Sequence, residues 1–393
     1  MSNTAKVHQY KTLSGLVTRL RDDLNNHDFV LIYAYNGTGK TRLSMAFKDK
    51  GKKRSTRYFS AGDSVGQLLS SVAIQSDTLY FNAFTEDLFT WDNDLNNDCE
   101  RCLLINSNSS FFSGFKELAL EDRIFSYLER YADFNFKIDY EKWAISFSRQ
   151  ITEKGTSKII DNIKISRGEE NIFIWCIFLA ICELAIDGHG SYSWVKNFYI
   201  DDPISSLDDN NAIAVASDLA KLLKKGMGKV KGVISSHHGL FFNVMWNEFK
   251  SSKAKFKTHF LYRPVASSIY TLRSCDETPF FHHVAMLSEL KKAVDDDALY
   301  THHFNVLRSI LEKTATFFGF KDFSDCIHGV EDEALFARAL NLLSHGKYSI
   351  YEPREMGDDN KTLFKRIFIA FLDNYKFALP DLTPRSTKAT RQP

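Results

Sequence analysis

Apolar and polar positions along the chain fall into two regimes that meet near residue 263. In the first, short apolar runs end abruptly at polar or charged residues, as buried strands do when they deliver a side chain to the edge of a sheet. Phe29–Tyr33 stops at a glycine-containing turn, Phe198–Ile200 at Asp201 and Asp202, and Val230–Ser236 at His237. Leu79–Trp91 is dense in aromatics and predicts a strand with its exit loop; Phe260–Arg263 is the last strand of this kind. Lys50–Arg57, basic and glycine-containing, predicts a solvated loop. Ile172–Cys182 is apolar on every side until Glu183 halts it. It falls short of the roughly 20 residues that span a bilayer, so it predicts a helix buried all round. Beyond residue 263 the spacing becomes helical. His282–Asp296 carries Val284, Leu287 and Leu290 on one stripe and stops at Asp295-Asp296-Asp297. Tyr300–Phe318 places Phe304, Leu307, Leu311 and Phe318 on one face, with Gly319 as its stop, and Glu331–Ser344 is a third helix ending at His345-Gly346. The expected organisation is an α/β domain over 1–263, a mainly α-helical domain over 264–383 and a basic, disordered tail over 384–393. No repeat emerges, and no sustained heptads separate Lys40 from Ser166, which excludes long coiled-coil arms.

The abrupt strand ends carry chemistry. After Phe29–Tyr33 the chain reads Asn36-Gly37-Thr38-Gly39-Lys40-Thr41. Glycines there let backbone N–H groups wrap phosphates, Lys40 reaches the outer ones, and Thr41 can hold Mg²⁺. The first glycine of the usual pattern is Ala34 in this chain. Downstream, Ile165-Ser166-Arg167-Gly168-Glu169 opens the buried helix with a serine and a glycine, where a helix N-terminus can face a phosphate. Asp201 suits Mg²⁺, held directly or through water, and Asp202 suits polarising an attacking water. Pro203-Ile204-Ser205-Ser206-Leu207-Asp208 follows, and His237 closes the next strand with His238 as an open alternative. Singly these are a turn, a helix cap and strands ending in polar residues. In this order they resemble an ABC-type (P-loop) ATPase head. The resemblance implies a dimer with nucleotide sandwiched between Asn36, Gly37, Thr38, Gly39, Lys40 and Thr41 of one subunit and Ser166, Gly168 and Asp208 of the other. ABC heads usually carry Glu where Asp202 stands. Its carboxylate, one methylene shorter, predicts slow hydrolysis suited to a switch.

Length and composition narrow the class. A chain of 393 residues suits two domains, and 44% hydrophobic residues can fill their cores. A net charge of +1 supplies no global basic field, so any nucleic-acid contact must come from a local patch. Of the six cysteines only Cys99 and Cys102 form a CxxC pair, and a zinc site would need a second pair. They are expected to be reduced thiols of a cytoplasmic protein. Met1–Tyr10 is polar and lacks the apolar core of a signal peptide, so no membrane association is expected.

A second constellation lies in the helical part. Arg308 and Glu312 are four apart on Tyr300–Phe318 and project from one side, beside the Leu307/Leu311 stripe. An ordinary ion pair would look the same. His345, however, stands where the third helix ends, and the negative end of a helix favours the protonated imidazole of a general acid. Arg, Glu and His suffice for ribonuclease chemistry without metal. One of Glu312 and His345 can take the proton from a ribose 2′-OH, the other can protonate the 5′-oxygen leaving group, and Arg308 can neutralise the pentacovalent phosphate.

Over essentially its whole length the chain resembles the PrrC family of bacterial anticodon nucleases. The resemblance is carried by Tyr35–Thr41, by Phe-Asn-Ala-Phe-Thr-Glu-Asp-Leu-Phe at Phe81–Phe89, by Asp-Asp-Pro-Ile-Ser-Ser-Leu-Asp-Asp at Asp201–Asp209, and by the helical C-terminal part. It implies that Arg308, Glu312 and His345 form the catalytic triad and that Asp276 contacts the wobble base. It also implies cleavage of lysine tRNA 5′ to the wobble nucleotide, leaving a 2′,3′-cyclic phosphate and a 5′-hydroxyl. Further implied are silencing by a type I DNA restriction–modification complex until phage attack, ATP or GTP with Mg²⁺ at the head, and dTTP stabilising the active form. The Asp-Asp-Pro variant at Asp202 is shared by the family. Two other readings compete: an SMC-like ATPase clamping DNA with a non-catalytic C-terminal module, and a metal-dependent nuclease using Asp295, Asp296 and Asp297.

Overall fold

The computed structural model describes residues 7–60, 68–82, 88–97, 99–112, 115–118, 120–153, 156–203, 209–263, 269–275, 281–327 and 355–375. The chain divides into two compact units, Gln9–Asp276 and Glu277–Pro393 with Met1–His8.

Strands β1 (Val7–Tyr10), of which only Gln9 and Tyr10 belong to the first unit, and β2 (Phe29–Ala34) flank α1 (Leu13–Asn26), and α2 (Lys40–Lys50) follows. A hairpin of β3 (Lys53–Ser60) and β4 (Leu68–Gln75) comes next. The basic stretch expected as a loop is thus mostly strand, because backbone pairing with Leu68–Gln75 supplies a partner that local composition cannot reveal. After β5 (Thr78–Asn82) come β6 (Phe89–Asp92), β7 (Cys102–Ile105), the short helices α3 (Phe115–Leu118) and α4 (Glu121–Leu128), then β8 (Phe134–Asp139), β9 (Ala144–Glu153) and β10 (Thr156–Ile160). Helix α5 (Arg167–Asp187) leads to β11 (Asn197–Asp201), α6 (Asp209–Lys225), β12 (Lys231–Ser236), α7 (Gly239–Lys250), β13 (Phe256–Tyr262) and β14 (Tyr270–Ser274). The strand pattern therefore outlasts residue 263: β14 turns back antiparallel on β13, and the first unit ends at Asp276.

The main sheet has the order β1-β14-β13-β2-β12-β11-β5. From β13 to β5 every pair is parallel. Parallel strands deliver their C-terminal ends to one edge, so the loops after β2, β11 and β12 gather there. Register makes this concrete: Tyr33 pairs with Ser236, and Ser235 with Asp201. A second, antiparallel sheet of β10-β9-β7-β6, with β8 on β9, occupies the interval where coiled-coil arms were excluded. The stretch Ile172–Cys182 of helix α5 is apolar all round because it lies between the two sheets. Phe81 of β5 packs edge-on against its Trp175 and tilted against its Phe178, while Phe147 of β9 meets its Phe173 at 5.0 Å.

The second unit contains α8 (Phe281–Asp295), α9 (His302–Phe318) and α10 (Asp358–Asn374). Leu287, Leu290, Phe304, Leu307, Leu311, Phe364 and Phe368 form its core. Gly319 ends α9 in the left-handed conformation with φ 75°, which costs glycine no Cβ clash. Phe318 departs from expectation. It is 51% exposed, since the helix ends there and its ring stacks on Phe320 and tilts against Tyr375 instead of entering the stripe. The third expected helix, Glu331–Ser344, and the tail lie outside the described residues.

Candidate functional site

Strand β2 is buried along its length, and the chain leaves it through a loop closed on itself. Thr38 bonds the Tyr35 carbonyl through both its hydroxyl (2.7 Å) and its amide (3.3 Å). Gly37 and Gly39 take φ 80° and 100°, which glycine adopts without penalty, and Gly39 caps α2. Lys40 is only 6% exposed. Its ammonium donates to the carbonyls of Ala34 (3.2 Å) and Tyr35 (3.3 Å) and to Asn36 Oδ1 (3.3 Å), and pairs with Asp202 Oδ2 at 3.0 Å.

Asp201 and Asp202 part company at the end of β11. Asp201 is 1% exposed; its Oδ1 accepts from Ser235 Oγ at 2.7 Å, and its Oδ2 lies 3.4 Å from Ser44 Oγ. Burial pushes its carboxyl upward, and hydrogen bonds from Ser235 and Thr41 only partly offset this. A buried carboxylate destabilised in this way and joined to a threonine hydroxyl is a donor set that a hard divalent cation completes. Asp201 and Thr41 therefore fit Mg²⁺. Asp202 turns outward through φ 49°, its amide donating to the Ser235 carbonyl at 2.8 Å. Its Oδ1 accepts the His237 amide at 2.9 Å and lies 2.7 Å from His237 Nδ1. Burial raises the Asp202 carboxyl, but the His237 hydrogen bond and the Lys40 charge outweigh it and hold the group below the ordinary carboxylate range. The two histidines separate as well: His238 caps α7, its Nδ1 accepting from the Phe241 amide at 3.3 Å, so His237 is the one that faces Asp202.

Lys40, Thr41, Asp201, Asp202 and His237 thus converge at one sheet edge. Among the described residues no contact joins Ser166 or Gly168 to them, and Asp208 lies outside the described residues. Ser166 caps α5 in a reciprocal box with Glu169. The Ser166 hydroxyl accepts the Glu169 amide at 3.3 Å and donates to the Glu169 carboxylate, so the box engages both its lone pair and its hydrogen. Gly168 has nothing within 4 Å of where a Cβ would stand, so packing within this chain does not demand glycine. Ser235 and Ser44, which brace Asp201, were missed by sequence reasoning. The only local signal is that Ser235 lies two residues before His237, and it acquires meaning only when β12 lies beside β11.

In the second unit Arg308 Nε donates to Glu312 Oε1 at 2.8 Å, and the guanidinium lies 5.3 Å from the centre of the Phe323 ring. Half the Glu312 side chain is exposed. His345 and Asp276 lie outside the described residues. Of the acidic run, Asp297 ties the end of α8 to Lys365 (2.7 Å) and Lys361 (3.3 Å) of α10, while Asp295 pairs with Lys291 one turn back on α8 itself. Glu289, His302 and His303 bring ligand atoms within 4.8 Å of one another. Burial and the neighbouring His302 push His303 down to about 3, so it is neutral. Its Nδ1 accepts the Tyr300 amide at 3.1 Å, which puts its proton on Nε2 and leaves no lone pair there for a metal.

Fold and site together define a P-loop ATPase-type α/β protein with a helical second unit. The AAA_13 family model, an AAA domain, matches residues 116–370. An anticodon nuclease of Escherichia coli is 33% identical over 340 residues, covering 81% of this chain and 82% of that one. The chain belongs to the anticodon nuclease family. Among solved structures, the SMC head domain from Thermotoga maritima aligns with 63% of this chain and 90% of that one, at 11% identity and a TM-score of 0.27.

Proposed function

We propose that the protein is a nucleotide-gated endoribonuclease that cuts a lysine tRNA 5′ to its wobble nucleotide. The observation that carries this is the Arg308–Glu312 pair, held on α9 of a unit separate from the ATPase-type head in a member of the anticodon nuclease family. An anticodon loop offers splayed single-stranded bases and a free 2′-OH. One of Glu312 and His345 removes the 2′-OH proton, the oxygen attacks the adjacent phosphorus, and the 5′-oxygen leaves with a proton from the other; Arg308 balances the charge that builds on the phosphate. The products are a 2′,3′-cyclic phosphate and a 5′-hydroxyl, and this step needs no metal.

In the head, ATP or GTP is held by Asn36, Gly37, Thr38, Gly39, Lys40 and Thr41, with Mg²⁺ at Thr41 and Asp201. Asp202 orients the attacking water and His237 senses the outer phosphate. Lys40 is already surrounded by oxygens at the distances a phosphate would adopt, which supports its role. Ser166, Gly168 and Asp208 of a second subunit complete the site; an exposed Ser166 and an uncrowded Gly168 support this dimer. Silencing by a type I restriction–modification complex, stabilisation by dTTP, Asp276 at the wobble base and a cytoplasmic, anti-phage role complete the proposal.

Mapping RNA ends tests it. Purified protein with total bacterial tRNA and nucleotide should cut lysine tRNA in the anticodon loop and leave a cyclic phosphate, and cutting should persist in chelator once the active nucleotide state has formed. A 3′-phosphate terminus formed without a cyclic precursor, or undiminished cutting by His345→Ala, refutes the mechanism.

A further inference from the structure

Both acidic residues in the first turn of α5 are held from outside the helix by side chains of the antiparallel sheet. Arg149 of β9 bridges Glu169 Oε1 and Asp133 Oδ1, the latter at 3.2 Å, with its guanidinium beside the Phe134 ring. The other carboxylate oxygen of Glu169 accepts the Ser166 amide at 2.8 Å, so one side chain joins Arg149 directly to the residue that opens the helix. Burial raises the Glu169 carboxyl, and the Ser166 amide and Arg149 reverse that and keep it charged. On the next turn-facing position, Trp91 of β6 donates its indole N–H to Glu170 Oε2 at 2.9 Å. The Trp91 ring packs 5.7 Å from Phe147, which is buried against Phe173 of α5, and Lys164 lies 5.5 Å from its centre. Lys164 in turn reaches Asn93 Oδ1 at 2.7 Å, fastening the residues just before Ser166 to the same sheet. A capping box already satisfies two of the amides that a helix start leaves without partners. Here two further ties, from residues 20 and 79 positions away in sequence, restrain the same turn, and a third, spanning 71 positions, holds Lys164 just before it.

We infer that Arg149 and Trp91 are positioning residues for nucleotide hydrolysis. They hold Ser166 where the nucleotide bound by a second subunit meets it, so that the antiparallel sheet sets the competence of the composite site. The inference rests on Ser166 acting in trans as proposed above. Because a displacement of about 1 Å at a reacting centre can cost about a hundredfold, loosening this turn should act on turnover far more than on nucleotide binding to the same subunit's loop.

The test uses the full-length protein with Arg149→Ala, Trp91→Phe and Glu169→Gln, the last keeping a residue that caps well while removing the charge that Arg149 pairs. Expected are nucleotide affinities within twofold of wild type, kcat lowered about tenfold to a hundredfold by Arg149→Ala and Glu169→Gln, and a smaller loss for Trp91→Phe. Arg149→Lys should recover part of it. Mixing Arg149→Ala with Lys40→Ala protein should raise turnover above either alone, since one heterodimer site then has an intact Lys40 facing an intact Arg149 clamp. Wild-type kcat in Arg149→Ala and Glu169→Gln, or no gain on mixing, overturns the inference. Ser166→Arg separates the two levels. If it is inactive while Arg149→Ala is normal, only the clamp fails; if Ser166→Arg turns over normally, the signature role fails and the clamp with it.

Discussion

Replacing Asp202 by Asn should weaken the nucleotide-free head, tighten nucleotide binding and stop turnover, three effects with one origin. Lys40 and Asp202 are both largely buried and 3.0 Å apart. At an effective dielectric of about 20 their attraction is about 5 kcal/mol gross, and desolvation offsets enough of it to leave a net of roughly 2 kcal/mol, typical of a hydrogen bond between charged groups. Asn keeps the shape, tolerates the positive φ as Asp does, and its oxygen can still accept the His237 amide. Its amide nitrogen then faces the Lys40 ammonium, donor against donor. Lys40 retains its contacts to Ala34, Tyr35 and Asn36, so the loop survives. In the unliganded protein the lost pair should lower the head's melting temperature by about 4–8 °C. A bound phosphate takes over as Lys40's counter-charge, so the cost falls on the free state alone, and nucleotide should bind about thirtyfold more tightly. Turnover should fall at least a hundredfold, the scale of losing a positioned base. Thermal melts with and without nucleotide, a fluorescent-nucleotide titration and a phosphate-release assay read all three. An affinity unchanged, or weakened as in Lys40→Ala, would refute the view that Asp202 competes with phosphate for Lys40.

Asp23, buried with His259 Nε2 at 2.8 Å and Arg19 at 3.1 Å, is raised by burial but lowered overall by these partners. Its stabilising contribution is therefore complete above the ordinary carboxylate value near pH ~4 and is lost as pH falls through the depressed folded value; Asp23→Asn should flatten that acid limb in pH-dependent melts. Leu311→Ala, at a fully buried position, should cost about 2–5 kcal/mol in the second unit and abolish RNA cutting at 37 °C while nucleotide turnover survives. Arg308→Ala and Glu312→Gln remove a partly exposed i,i+4 pair and should change stability by less than about 1 kcal/mol, yet eliminate cutting in gel assays with lysine tRNA. Lys40→Ala and Ser166→Arg should each be inactive in hydrolysis and recover turnover on mixing; equal turnover by a monodisperse monomer would exclude the composite site.

Much of this protein is written locally. Strands buried on both faces must be continuously apolar, so Phe29–Tyr33, Phe198–Ile200 and Val230–Ser236 announce themselves, and a phosphate loop needs its glycines and lysine in one short stretch. The helix over Ile172–Cys182 shows its burial on both sides in its lack of any polar face, and that Arg308 and Glu312 share one side of their helix follows from their spacing. Tertiary structure decided what those pieces do to one another. That β12 lies between β2 and β11 is a non-local pairing with no imprint on either strand's periodicity, and it alone brings Asp202 to both Lys40 and His237 and sets Ser235 against Asp201. It likewise sends His238 to cap a helix while His237 faces the site. The hairpin partner of Lys53–Ser60, the return strand β14, the exposure of Phe318 and the grip of Arg149 and Trp91 on the start of α5 were hidden for the same reason. Hydrophobic periodicity encodes which face of an element is buried, whereas the identity of the neighbour that buries it depends on contacts between residues far apart in the chain.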